Sequence, residues 1–197
     1  MRIETTLIRD QVREAYSAGA REPSGKHPFP IGRAFAESVG YPSDLLDSLP
    51  AVVVETFAGV SNVSLFADIP DGSSVLDVGC GAGMDAIIAA RQTGKSGSVV
   101  GVDFSKPMLE RARVAASACA ARNVGFRYGD AERLPLPDDS VDVALVNGIF
   151  NLNPDRTGIF RELARVVRPG GSVYCAELIL TEPLPLAEQS CPTNWFA

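Results

Sequence analysis

The stretch Val75-Leu76-Asp77-Val78-Gly79-Cys80-Gly81-Ala82-Gly83 decides the fold of this chain. Val75 to Val78 is a short apolar run of strand type, and the residues after the glycines, Asp85 to Arg91, follow a helical pattern. Glycines at alternate positions let the backbone turn sharply out of a strand. They also bring its N–H groups against a ligand with no Cβ in between. The helix N-terminus that follows offers a positive dipole end suited to a carboxylate or phosphate. Strand, glycine turn and helix together predict a cofactor seated above Gly79–Gly83.

Outward from this turn, strand and helix patterns alternate. Strands are predicted at 74–78, 98–103, 123–128, 141–147 and 172–180, and helices at 84–92, 106–121 and 155–167. Such alternation implies an α/β, Rossmann-like sheet, mostly parallel, with right-handed crossovers and helices on both faces. The runs at 98–103 and 141–147 are almost continuously apolar, as buried parallel strands are. Arg168-Pro169-Gly170-Gly171 ends the last helix and turns into the fifth strand. Upstream, residues 5–18 have helical spacing, 19–32 read as a Gly/Pro-rich loop, and 43–57 read as a second helix. The organisation expected is an N-terminal helical cap or lid over 1–60, a cofactor-binding domain over 61–181 and a tail over 182–197.

Composition narrows the function. With 197 residues, 46% of them hydrophobic, the chain suits one sizeable domain. A net charge of −6 argues against a broad nucleic-acid surface, which needs clustered Lys and Arg. No apolar run approaches the roughly 18 residues of a membrane helix, and the N-terminus lacks a secretory signal core, so the expected location is cytoplasmic, with no membrane partner. The four cysteines, Cys80, Cys119, Cys175 and Cys191, are too widely spaced for a zinc signature or a disulfide framework. The single histidine, His27, lies in the Gly/Pro-rich loop without a partner nearby, and no metal site is expected.

The glycine turn fits three cofactor classes to different degrees. A phosphate loop needs Gly-Lys-Ser/Thr after the glycines, which is missing. A dinucleotide fingerprint needs G-x-G-x-x-G, but Met84 stands where its third glycine belongs. Asp103, 20 residues beyond Gly83, ends the second strand, where a carboxylate accepts from ribose hydroxyls. G-x-G-x-G with Asp103 favours S-adenosylmethionine over NAD.

Four segments then carry a family resemblance. Val75–Gly83 resembles motif I of the class I S-adenosylmethionine-dependent methyltransferases. Gly101–Leu109 resembles their second-strand motif, Gly129–Val143 their adenine-binding loop and fourth strand, and Arg165–Gly171 the turn before their fifth strand. The resemblance implies that Gly79, Gly81 and Gly83 approach the methionine and ribose, with Asp77 beneath orienting the loop or the ammonium group. It implies Asp103 on the ribose, Phe104 and Met108 against the adenine, Asp130 and Ala131 on the adenine edge, and Asn147 near the methionine portion. The product is S-adenosylhomocysteine and the acceptor is expected to be a small molecule. Cys80 reads as a space-filling residue, as do Cys119 and Cys175 on their predicted helix and strand.

Most of the chain is similar to the arsenite methyltransferase subgroup, through Val12–Tyr16, Gly40-Tyr41, Gly59–Asn62, Asn123–Arg127 and Asn147–Arg156. Trivalent arsenic is soft and binds through sulfur, yet the subgroup's cysteine positions in two of these stretches are Val60 and Gly148. The resemblance therefore supports fold and cofactor while arguing against arsenite as acceptor.

Methyl transfer is an in-line displacement, in which the protein holds the acceptor atom about 3 Å from the methyl carbon. Where the acceptor carries a proton, a base assists. Tyr16, Asn151 and Glu177 are candidates by position alone. The rival function is a non-catalytic S-adenosylmethionine-binding protein or partner subunit, and an NAD-dependent oxidoreductase is a more distant alternative. The full family sheet has seven strands, but only 17 residues follow position 180. The last two strands are expected to be missing and the fifth to be an open edge. Such an edge calls for a homodimer partner, a shielding segment, or more chain from a longer protein.

Overall fold

The computed structural model describes residues 2–179 and 181–182. The expected tail over 182–197 and Cys191 therefore lie almost wholly outside the described residues. Helix α1 (Arg2–Arg21) is followed by four short helices: α2 (Arg33–Ser38), α3 (Ser43–Asp47), α4 (Ala51–Val54) and α5 (Val63–Phe66). The chain then alternates through β1 (Ser74–Val78), α6 (Met84–Gln92), β2 (Ser98–Asp103), α7 (Lys106–Ala118), β3 (Val124–Tyr128), β4 (Val141–Asn147), α8 (Arg156–Val166) and β5 (Val167–Ala176). The sheet runs in the order β3-β2-β1-β4-β5 and every pairing is parallel.

Two-residue alternation sorts the strand side chains onto two layers. Val75, Val99, Val143 and Leu145 face α5 and α6, packing with Val63, Ala86, Ala89 and Ala90. Leu76, Val78, Val102, Ala144 and Val146 face the opposite side, where Ile159, Leu163 and Val166 of α8 cover them. A further cluster joins the N-terminal helices to the body: Tyr41, Leu46, Val53 and Phe57 pack on Met84, Ile87, Ile88 and Met108. Side chains this size contribute about 1.5–3 kcal/mol each when fully buried, so the N-terminal helices are integral to the core. Ser105 caps α7 by accepting from the Met108 N–H, and Asp155 caps α8 by accepting from Gly158.

The differences from expectation have local causes. Residues 43–57 are two helices because the chain breaks at Ser48–Pro50; the proline ring sits immediately before the new helix α4. The expected 19–32 loop loses its first residues to α1, and α2 follows it unpredicted. Helix α7 stops at Ala118 rather than 121, with Ala120 in the left-handed region at φ 52°. In β5, Ser172–Ala176 pair with Val143–Asn147, after an irregularity at the Arg168–Gly171 turn. The strand ends at Ala176 and not at 180. Its outer edge is unpaired among the described residues. Cys175, expected inside, is exposed there, and Cys119 is half-buried. No described helix is long and apolar enough to cross a membrane.

Candidate active site

In an open parallel sheet, ligands bind beyond the carboxyl ends of the strands where the strand order reverses. Here that point lies between β1 and β4. The chain leaves β1 with Gly79, Gly81 and Gly83 all in the left-handed region, at φ 72°, 52° and 87°. The N–H groups of Gly79 and Cys80 still donate to the Val102 carbonyl of β2, at 2.8 and 3.1 Å, which fixes the turn against the sheet. A Cβ on Gly79 would stand 2.5 Å from Ile149 Cγ2, and one on Gly83 2.8 Å from Phe126 Cζ. Cys80 packs back over Gly101, where a Cβ would approach its Sγ to 2.8 Å. Burial pushes the Cys80 thiol well above its ordinary range, reinforced by Asp103 and Asp77. It is a filler, as expected.

Above the turn lies a cleft of two lobes. The Asp85 lobe is walled by Tyr16, Val53, Phe57, Met84, Ile149 and Leu152, with Asp77, Asp85, Asp103 and Asn147 at its polar side. The Asp130 lobe lies between α1 (Arg9, Val12, Arg13) and the loop Gly129–Glu132. The two share Gly79, Asp103, Phe104, Ile149 and Leu152, so Asp103 and Phe104 stand at their seam. Asp103 is 7% exposed; its Oδ2 accepts from the Gly81 N–H at 2.8 Å and its Oδ1 from the Ser105 N–H at 2.7 Å. Each oxygen keeps a lone pair for a ligand. Burial raises the Asp103 carboxyl to about 6, against the pull of the Ser105, Gly81 and Phe104 N–H groups. Asp77 is 2% exposed and its Oδ2 has no partner. Burial, then Asp85, then Asp103 push its carboxyl well above the ordinary range.

Asp85 was not singled out from the sequence, where an acidic residue in a first helical turn reads as a helix-dipole partner. In the fold it is a hub. Its Oδ1 accepts from the Tyr41 and Ser64 hydroxyls, and its Oδ2 accepts from Asn147 Nδ2 at 2.9 Å. Asn147 in turn accepts on Oδ1 from the Val60 and Ser61 N–H groups, at 2.8 and 3.1 Å, and donates to the Ser61 carbonyl at 2.7 Å. This network pins the 59–62 loop to the ends of β1 and β4. Asn147 thus lines the cleft where it was expected, but its amide serves the loop.

Helix α1 roofs the Asp130 lobe. Arg9 pairs with Glu132, and Arg13 lies 3.9 Å from Asp130 and 5.7 Å from the Phe104 ring centroid. Ser17 and Ser105 hydroxyls meet at 2.8 Å. The side chains of Arg9, Arg13 and Glu132 went unnoticed in the sequence because they meet across more than a hundred residues of chain.

Of the other expected site residues, Gly79, Gly81, Asp77, Asp103, Phe104, Asp130 and Ala131 all line the cleft. Gly83 lies behind it, packed on Phe126 and Ala112. Met108, expected against the adenine, lines the Asp85 lobe instead, because it follows the Ser105 cap and points at Gly81. Among the base candidates Tyr16 reaches the cleft. Burial first, and then the charges of Asp103 and Glu177, raise its phenol above the ordinary value, so it remains a proton donor. Glu177 and Asn151 are outside the lining. Glu177 accepts from the Ile149, Phe150 and Asn151 N–H groups, at 2.6, 2.8 and 3.3 Å, which shapes the wall loop and leaves it poorly placed as a base. Among the described residues no group of His, Cys, Asp and Glu is arranged to hold a metal.

A Rossmann-like sheet, a glycine turn that excludes side chains and a carboxylate at the seam of two lobes define a nucleoside-cofactor-binding protein. A family model described as a methyltransferase domain matches residues 69–195, and the chain belongs to that family, of the class I S-adenosylmethionine-dependent type. An arsenite methyltransferase of Halobacterium salinarum is 38% identical over 159 residues, 81% of this chain and 40% of that protein. A demethylmenaquinone methyltransferase of Shouchella clausii is 36% identical over 111 residues, 56% of this chain and 47% of that protein. Among solved structures, an arsenic(III) S-adenosylmethionine methyltransferase from Chlamydomonas reinhardtii superimposes with a TM-score of 0.65 at 31% identity, over 84% of this chain and 55% of that one. The chain thus spans less than half the length of the two curated relatives. S-adenosylmethionine is the cofactor of the family, and the residues fit it. The turn is closed to any Cβ at Gly79, Asp103 has free acceptor capacity at the seam, and Asp77 offers an unpartnered carboxylate oxygen.

Proposed function

We propose that this chain forms the cofactor-binding part of a methyltransferase that transfers the methyl group of S-adenosylmethionine to a small, largely apolar acceptor. The position of Asp103 and Phe104 at the seam supports this most directly. A ribose there sends the adenine toward Asp130 and Ala131 and the methionine portion toward Asp77, leaving Tyr16, Val53, Phe57, Met84 and Leu152 for the acceptor. The residues act mainly by placement and by excluding water, which suits an in-line displacement. Tyr16, held protonated, orients an acceptor by donating a hydrogen bond.

The names of the relatives offer two acceptor chemistries. Against arsenite stand Val60 and Gly148 at the positions of the subgroup's cysteines. They touch each other, and a Cβ on Gly148 would lie 2.9 Å from Val60 Cγ1. Cys80 is the one thiol in the lining among the described residues, and it is buried and raised. An apolar ring compound, as in the demethylmenaquinone methyltransferase name, suits the aromatic and aliphatic walls better. The test incubates the protein with methyl-labelled S-adenosylmethionine and either arsenite, a demethylmenaquinone or a small-molecule cell extract. Label in the apolar fraction is expected. Labelled arsenite would overturn the acceptor assignment, and cofactor binding without any labelling would favour a non-catalytic binding protein.

A further inference from the structure

We propose that Asp85 makes the cleft discriminate between the charged methyl donor and its neutral product, because its buried carboxylate is held by neutral donors and is left uncancelled by any cation. The inference rests on the cofactor reading above. Asp85 is 6% exposed and lines the cleft. Its oxygens accept from Tyr41, Ser64 and Asn147, all uncharged donors, and it stands in the first turn of α6. No Lys, Arg or His lines the Asp85 lobe among the described residues; Arg9 and Arg13 belong to the other lobe, paired with Glu132 and Asp130. Beside Asp85 stands Asp77, buried, with an oxygen that has no donor.

Asp77, pushed well above the ordinary carboxylate range by burial, adds no charge of its own. Burial also raises the Asp85 carboxyl, but three donors on its two oxygens hold it as an acceptor, so it faces the low-dielectric cleft as a carboxylate with no cation beside it, where a ligand cation is worth more than in water. In the reaction the acceptor's electron pair forms the new bond to the methyl carbon. The pair of the broken S–C bond stays on sulfur, and the sulfonium becomes a neutral thioether. The positive charge passes to the methylated acceptor, which departs with it or releases it to solvent as a proton; the cofactor left behind is neutral, so the field of Asp85 favours the donor over the thioether.

A purely structural role for Asp85 would affect both ligands alike, and that separates the two ideas. Calorimetry measures Kd for S-adenosylmethionine and S-adenosylhomocysteine with wild type, Asp85→Asn, and the pair Tyr41→Phe with Ser64→Ala, which loosens the hub but keeps the charge. Wild type is expected to bind the sulfonium form more tightly. Asp85→Asn is expected to shrink the ratio of the two constants about five- to tenfold, while Tyr41→Phe/Ser64→Ala shifts both constants together and leaves the ratio. Tighter wild-type binding of the thioether, or equal weakening of both ligands by Asp85→Asn, overturns the proposal. The wild-type comparison decides even if the variant does not fold. Absence of binding by either ligand to wild type instead defeats the cofactor reading itself.

Discussion

The Asp130 lobe draws its floor from the carboxyl ends of three strands, with Gly79 after β1, Asp103-Phe104 at the end of β2 and Gly129–Glu132 after β3, while Cys80 to Ala82 of the glycine turn line the Asp85 lobe. The Asp85 lobe draws its walls from α1, α4, the 57–59 loop, α6 and the segment after β4. The first is an outcome of parallel-sheet regularity, in which every strand delivers its loop to the same end. The second exists only when distant segments have packed, held by the apolar cluster of Tyr41, Val53, Phe57 and Met84 and by the polar hub at Asp85. On the reading proposed above, the ribose and adenine rest on the first foundation and the acceptor on the second, and the two should break separately.

Gly79→Ala should have the largest effect, since it strikes the seam that both lobes share. A positive φ costs a Cβ-bearing residue about 1–2 kcal/mol, and the clash with Ile149 adds about 1–3 kcal/mol. Thermal unfolding should fall by roughly 10 °C, with loss of cofactor binding in calorimetry; an unchanged midpoint would contradict the geometry of the turn. Asp103→Ala comes next, weakening S-adenosylmethionine binding by about 1–3 kcal/mol while the fold persists. On the other side, Gly59→Ala would place a Cβ 2.5 Å from Asn147 Nδ2. It should cost about 1–3 kcal/mol of stability and speed amide exchange at Val60 and Ser61, with cofactor affinity changed less than by Asp103→Ala. Equal loss of affinity in the two variants would show that the lobes are not independent.

The smallest expected effect is the pH response, and it sharpens the comparison because it belongs to the seam. Asp103 is raised from 3.8 to about 6 by burial. As pH falls through about 6 it takes up a proton, loses acceptor capacity, and cofactor affinity should drop by at most about tenfold per pH unit. Stability of the cofactor-free protein moves the other way. The folded state protonates Asp103 before the unfolded chain does, so this group's contribution is present below 3.8 and lost as pH rises through about 6. Titrations of affinity and of melting temperature should therefore run in opposite directions between those limits, and Asp103→Asn should flatten both.

The same contrast explains what could be read from the chain directly. The glycine turn, Asp103, Asp130 and the first four strands are contiguous signals, each declared within a dozen residues, and they appear in the fold where expected, whereas the fifth strand spans Val167–Ala176 instead of 172–180. Asp85 meets Tyr41, Ser64 and Asn147 at separations of 44, 21 and 62 residues, and no local pattern distinguishes it from an ordinary first-turn acid. Glu177 was a base candidate from its place near the end of the expected 172–180 strand. Its carboxylate instead caps the 149–151 N–H groups, which requires the chain to leave the ladder at Ala176. Residues 43–57 were legible as helical and assigned to a cap, but the break at Pro50 and the burial of Leu46, Val53 and Phe57 in the core were not.

Helix α1 has a kinetic consequence. Along the Asp130 lobe its fastening includes Arg9 with Glu132, Arg13 with Asp130 and one pair of serines, with Val12 the buried apolar anchor of that stretch. Partly exposed ion pairs hold with only about 0.2–1 kcal/mol each, and ordinary salt screens them over about 8 Å. Raising ionic strength should therefore shorten the residence time of the bound nucleoside more than it alters the depth of the binding well. Stopped-flow displacement at increasing salt would measure how far these ion pairs, rather than the buried side of α1, hold the ligand in place.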